Sequence, residues 1–383
     1  MKLFQVTVAI LIVFLIISET YSCTFFYAAT VQTALFGSNE DWISAEAYIW
    51  FNPPTKNEYG RIFFGFELFP GQKEPFSGIN AQGLCFDQAM TSNKAYPGKI
   101  TGETFKGNIF DKILKECSSV DQVLELLGNY NNLQVQYTYL VIMFRDRYGN
   151  SLIVDCGRVG EKTTKFQIVP DDSKAAESCK QYQIAYQMLN NSDEINISLF
   201  KKILANTHVE LSSVVTAYST IFDLKNGKIY IYYFHNFMEE VVLDIRKELK
   251  KGFITIELCS LFPPSVAIQD FNGLKSRETE EKKSKRSAKN ISTTHFVQFS
   301  GRFVNSFDPE DSTIIEHEDE KLYLIKTDQS KVELYPESLT RFFLPLANGD
   351  FSITFCKDPT GKITELVVEY EFLGIKIPYQ KIN

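Results

Sequence analysis

Histidine is scarce. The 383 residues hold four, His208, His235, His295 and His317. No two of them stand at HxH or HxxxH spacing, and no two cysteines at CxxC. The spacings that mark zinc sites are therefore missing, and neither a metal nor another cofactor is expected. A surplus of positive charge is missing too. Lys and Arg number 40 against 47 Asp and Glu, a formal charge of −7. Such a chain is not built to neutralise the phosphates of nucleic acid. Beyond the first twenty residues no apolar run is long enough for a membrane helix, so no stable membrane span is expected. Tryptophan and methionine are few, but 32 Phe and 19 Tyr supply material for a large core.

The amino terminus carries the clearest signal. Lys2 gives a positive start and residues 8–17 are unbroken apolar sequence, the pattern of a secretory signal peptide. Thr20 and Ser22 stand at the −3 and −1 positions of a cut before Cys23, where small residues are wanted. A lipidation signal fits poorly with Thr20 and Tyr21 in front of the cysteine. Residues 1–22 are thus expected to be removed, and the product to be secreted or held in a lysosome-like compartment. Asn190, Asn196 and Asn290 each head an N-x-S/T sequon, expected to carry glycans. Cys85, Cys117, Cys156, Cys179, Cys259 and Cys356 are enough for disulfides in an oxidising compartment. Spacing leaves the connectivity open, with Cys117–Cys179 and Cys156–Cys179 among the candidates. Cys23 would be the odd thiol left over.

Periodicity organises the rest. Residues 23–29 and 33–37 read as strands, the first buried on both faces, and 83–87 as another. Residues 108–117 read as a helix; Ser119 with Gln122 forms a capping box that opens a second, ending at Gly128. Hairpins are expected across 137–155, around residues 146–150, and across 219–234, around Asn226-Gly227. Residues 173–189 and 198–205 read as helices. Blocks of strands and helices imply layered α+β, not a doubly wound parallel sheet. The expected domains are residues 23–262, a charged linker over 263–290, and a small all-β domain over 291–383. The linker is read as a solvated tether because residues 277–289 are charge-dense and lack large apolar side chains. The last domain has short strands between turn signals such as Asn348-Gly349, as in a barrel or a sandwich.

One residue stands out chemically. A cysteine at its own chain's amino terminus has a base built in, because an α-amine titrates near about 7.7–8 and can take the thiol proton. The plain alternative is a disulfide cysteine that happens to follow the signal peptide. Around Cys23 the chain reads Cys23-Thr24-x-Phe26, then Gly37-Ser38-Asn39-Glu40-Asp41-Trp42. Later come Gly78-Ile79-Asn80-Ala81-Gln82-Gly83-Leu84 and Tyr218-Ser219-Thr220-Ile221-Phe222-Asp223.

Together these segments resemble the N-terminal-nucleophile hydrolases of the choloylglycine hydrolase, penicillin V acylase and acyltransferase type, over about residues 23–237. The resemblance implies a four-layer αββα sandwich that cleaves linear, non-peptide N-acyl amides through a thioester, with a small-molecule substrate and no cofactor. By position, Cys23 would be the nucleophile, Asp41 would hold the α-amine beside the thiol, and Asn80 would donate to the oxyanion. Asp41 and Asn80 also read as ordinary turn residues. The departures are specific. Ser38 stands where the family has an arginine, Asp171 near the place of a second oxyanion asparagine, and Thr220 where bile-salt-type members have an arginine. They motivate two rivals, a binding protein on the same fold with impaired catalysis, and an acyltransferase. His208, just past a predicted helix end, reads first as a partner of that helix's dipole and second as a substrate contact.

Overall fold

The computed structural model describes residues 23–90, 101–137, 139–160, 162, 179–287, 293–307, 309, 311–326, 329–346, 349–371 and 375–382. The signal-peptide segment, the Asn290 sequon and Asp171 lie outside them.

Two antiparallel sheets face each other. The first runs β1 (Thr24–Ala29), β2 (Ala34–Trp42), β10 (Val215–Asp223), β11 (Lys228–Tyr233) and β12 (Asn236–Asp244) in that order. The second runs β13 (Ile254–Glu257), β3 (Ala47–Asn52), β4 (Arg61–Phe69), β5 (Gln72–Asn80), β6 (Cys85–Met90), β7 (Leu140–Arg145), β8 (Ser151–Asp155) and β9 (Arg158–Val159). The two-residue period of a strand decides which layer each side chain joins. In β1, Phe25 and Tyr27 enter the core between the sheets, whereas Phe26 and Ala28 face outward. There they meet Ala185 and Leu189 of α3 (Lys180–Asn190) and Phe200, Ile203 and Leu204 of α4 (Ile197–Thr207). In β6, Cys85 and Ala89 point between the sheets and Phe86 outward, onto α1 (Ile109–Glu116) and α2 (Val120–Asn129). Helix, sheet, sheet and helix therefore stack as four layers, the αββα sandwich expected.

Local chemistry sets the helix starts. Asn108 caps α1 by accepting from the Phe110 and Asp111 amides. Ser119 caps α2 by accepting from the Gln122 amide, but the Gln122 side chain reaches back to the Ser118 amide at 2.7 Å, one residue earlier than in a standard capping box.

The final unit is a closed barrel of β14 (Gly301–Asn305), β15 (Ser312–Glu318), β16 (Lys321–Ile325), β17 (Lys331–Pro336), β18 (Arg341–Leu346), β19 (Gly349–Lys357), β20 (Ile363–Tyr370) and β21 (Ile375–Ile382). Closure removes the exposed edges that a sandwich would leave. Phe69, at the tip of the β4–β5 hairpin, packs on Phe351 and Tyr379 of the barrel, with ring centroids 5.6 and 6.4 Å away. Lys326 of the barrel domain pairs with Glu67 at 2.9 Å.

Two expectations are corrected. The charged segment is no tether: Val266–Arg286 forms a helix, α5. Its charges alternate at helical spacing, giving pairs such as Lys283–Glu280 at 2.6 Å and Lys285–Glu281 at 3.0 Å. At its end Arg286 bonds Glu337 and Glu371 of the barrel, both at 2.7 Å, and lies over the Phe343 ring. The expected disulfides are not formed either; among the described residues no two cysteines are joined. Their layers keep them apart: Cys85 lies between the sheets, Cys117 under the α1–α2 layer and Cys356 in the barrel. The helix expected over 173–189 begins at Lys180, the residues just before Cys179 being outside the described set.

Candidate active site

The site lies where β1 begins. The antiparallel register of β1 on β2 sets Thr24 against Asn39, so Cys23 comes level with Glu40. The Cys23 thiol lies 3.7 Å from the Asp41 carbonyl oxygen, to which it donates. On the other side of β2, β10 sets Tyr218 against Glu40 and Thr216 against Asp41, with a bulge between them. The extra residue re-aims the strand, a common device beside functional sites. Here it lets Thr216 Oγ1 donate to Asp41 Oδ1 at 2.5 Å. From the opposite sheet, β6 contributes Asp87, paired with Ser77 on β5. From the helix layer, Tyr182 donates its hydroxyl to the Cys23 carbonyl at 3.3 Å.

Three carboxyl groups therefore surround one thiol, all buried: Glu40, Asp41 and Asp87. Burial, followed by the charges of Glu40, Asp41 and Asp87, pushes the Cys23 thiol well above its ordinary range, so it does not ionise unaided. Burial also raises the carboxyls. Glu40 is pushed up to about 7 against a hydrogen bond from Ser38 at 2.9 Å, and Asp41 and Asp87 move the same way. The strongest charges acting on the thiol are all carboxylates, and Ser38, at the position of the family's arginine, brings none. Asp41 Oδ2, Glu40 Oε2 and both Asp87 oxygens make no hydrogen bond of normal geometry among the described residues, although Ser38 and Glu40 lie beside Asp87. The Tyr218 hydroxyl, fully buried with Ser77 as its neighbour, is in the same condition. Buried unsatisfied polar groups cost free energy, and four carboxyl oxygens and one hydroxyl of this kind meet beside the thiol.

Of the residues expected from sequence, Cys23 and Asp41 are brought together and Asn80 is not. The Asn80 amide donates to the Leu114 and Cys117 carbonyls at 2.8 and 2.7 Å, at the end of α1. Its side-chain oxygen accepts from the Gln82 and Leu84 amides. All four of its bonding positions are filled, two by the end of α1 and two by the turn it sits in. The motif's glycine has a matching reason: Gly83 has φ +80°, and a Cβ there would lie 2.3 Å from the Leu224 carbonyl oxygen. Asn39 is likewise structural, tying β2 to α4 through the Leu204 carbonyl and accepting from Ser219. His208 donates from Nδ1 to the Ala205 carbonyl at 2.8 Å, at the end of α4. Glu40, Asp87, Tyr182 and Tyr218 were not singled out from sequence. The available signal was charge inside strands otherwise apolar on both faces, as in Cys85-Phe86-Asp87.

Two outcomes follow. Asn80→Ala is expected to lower stability by about 2–4 kcal/mol, measured by urea unfolding, with catalysis of the folded protein changed less than about threefold. An oxyanion donor would instead lose about 10²–10³ in kcat at unchanged stability. The second concerns pH. A carboxyl raised by folding gives stability that is full below the ordinary carboxylate range and is lost as pH rises through the folded value, here about 7 for Glu40. Unfolding free energy is expected to fall from pH 5 to pH 8, and Glu40→Gln to flatten that slope; an unchanged slope would show that the carboxyl is not buried in the folded protein.

No protein-family model matches the chain, and no curated protein sequence does. The chain is similar to two solved structures of conjugated bile acid hydrolase from Clostridium perfringens. One is a cysteine-to-alanine mutant, at 19% identity over 61% of this chain and 96% of that one, with a TM-score of 0.46. The other is an arginine-to-leucine variant, at 18% identity over 61% and 97%, with a TM-score of 0.45.

Proposed function

We propose that this chain, cut before Cys23 in the secretory pathway, is a thiol-dependent amidohydrolase that cleaves linear N-acyl amides. The observation that carries the reading is Asp41. Its carboxyl group is buried beside Cys23, one oxygen is bonded to Thr216, and the other has no hydrogen bond. An α-ammonium group freed at Cys23 is the donor that such an oxygen lacks.

In this reading the Cys23 thiol gives its proton to the α-amine and attacks the amide carbonyl carbon. Asp41 holds the resulting ammonium. The Tyr218 hydroxyl, kept protonated by burial, donates to the oxyanion in place of Asn80. The tetrahedral intermediate collapses, the C–N bond breaks, and the ammonium returns its proton to the leaving amine. Water then attacks the thioester with the α-amine as base, releasing the acid and restoring the thiol.

The test is steady-state turnover of a panel of N-acyl amides by the secreted protein. Cys23→Ala is expected to abolish turnover, and Tyr218→Phe to lower kcat by about 10–100-fold with KM within about threefold. Full activity in Cys23→Ala would overturn the nucleophile; an unchanged kcat in Tyr218→Phe would remove the tyrosine from the oxyanion site.

A further inference from the structure

A second cluster lies outside the thiol pocket. Helix α4 ends at Thr207, and His208 turns into extended backbone at its C-cap. The segment then folds back on itself: Val209 and Thr216 exchange bonds of 2.7 and 2.8 Å, and Glu210 bridges Val215 in antiparallel sense. Two residues apart on extended backbone, His208 and Glu210 lie on one face. Facing them is the turn between β11 and β12, made by Phe234 and His235. Both have positive φ, 50° and 46°, where Asn and Gly are the usual occupants. Phe234 is buried against Phe271, and its amide donates to the Ala217 carbonyl at 2.8 Å. Those contacts hold the turn so that the His235 ring stacks on His208, with centroids 5.3 Å apart.

One ligand atom from each of His208, Glu210 and His235 lies within 4.8 Å of the other two. The bond from His208 Nδ1 to the Ala205 carbonyl fixes the tautomer, because a carbonyl only accepts; Nε2 keeps its lone pair. A ring nitrogen donating to a backbone carbonyl is the usual support of a metal-binding histidine. His235 Nε2 is buried and has no hydrogen-bond partner among the described residues. Ligand atoms around one tetrahedral zinc ion stand about 3.3–3.5 Å apart. Glu210 is exposed, so its side chain is free to rotate toward the two rings.

We propose that His208, Glu210 and His235 bind a divalent transition-metal ion, with zinc as the reference ion. Two imidazoles and one carboxylate leave a coordination position for water. The ion clasps the segment after α4 to the β11–β12 turn. That segment bonds Thr216, which in turn bonds Asp41, so the ion steadies the support of the thiol pocket. This site does not depend on the hydrolase reading and is tested without an activity assay.

The experiment is calorimetric titration of the chelator-treated full-length secreted protein with zinc chloride, and absorption spectroscopy with cobalt(II). One ion per chain is expected, with a cobalt spectrum of nitrogen and oxygen ligands and no thiolate charge-transfer band. His208→Ala and His235→Asn are each expected to weaken binding by more than about 100-fold. Asparagine suits the left-handed turn position, so His235→Asn keeps the melting temperature of the metal-free protein and separates ligand loss from misfolding. Absence of stoichiometric uptake would overturn the site. So would uptake equal in both histidine variants, or a thiolate band that disappears in Cys259→Ser.

Discussion

The hydrogen bond from Thr216 to Asp41 is the joint on which the site depends. It exists because β10 carries a bulge, which turns Thr216 toward β2 while Tyr218 stays in register with Glu40. The same hydroxyl receives the Val209 amide, so the segment after α4, the central strand β10 and the strand bearing Asp41 meet at one oxygen atom. Asp41 in turn presents its carbonyl to the Cys23 thiol. Loss of that joint would leave a buried carboxyl with neither oxygen bonded, the costly state that buried polar groups avoid.

Electrostatics give the pocket its character. Burial raises the thiol and all three surrounding carboxyls together, which describes a site short of positive charge. In the proposed mature protein the α-ammonium of Cys23 supplies one such charge at the position where Asp41 has an unbonded oxygen. Cleavage before Cys23 would then complete the site in the same event that frees the nucleophile's base. Serine at position 38 is consistent with this economy of cations: its hydroxyl bonds Glu40, where an arginine would have brought a fixed charge.

Much of the frame was legible in the sequence, and the reasons are local. Apolar residues on both faces over 25–28, the cap residue Ser119, and the Asn226-Gly227 turn each act through neighbours a few positions away. The strands over residues 47–80 were not read: β3 and β4 are apolar or aromatic on both faces in sequence, and β5 opens on the polar run Gln72-Lys73-Glu74 with Pro75 following. The run of charge that read as a tether is a helix: its ion pairs at helical spacing are local, but its anchor at Arg286 depends on a barrel far along the chain. Cys23 and Asp41, singled out by position and motif, stand together in the structure. Asn80, named from a motif that also builds a turn, has its side-chain nitrogen bonded to the end of α1 and its oxygen to that turn. The pairing of His208 with His235 left no mark in spacing; two separate connections bring the rings together.

The measurement that bears most directly on the proposed chemistry is the mass of the amino-terminal peptide of the secreted protein, quenched in acid during turnover of an N-acyl amide. A peptide beginning at Cys23 and heavier by the acyl group alone is the expected result. A chain that begins elsewhere, or an acyl group carried by another residue such as Cys179, would contradict it.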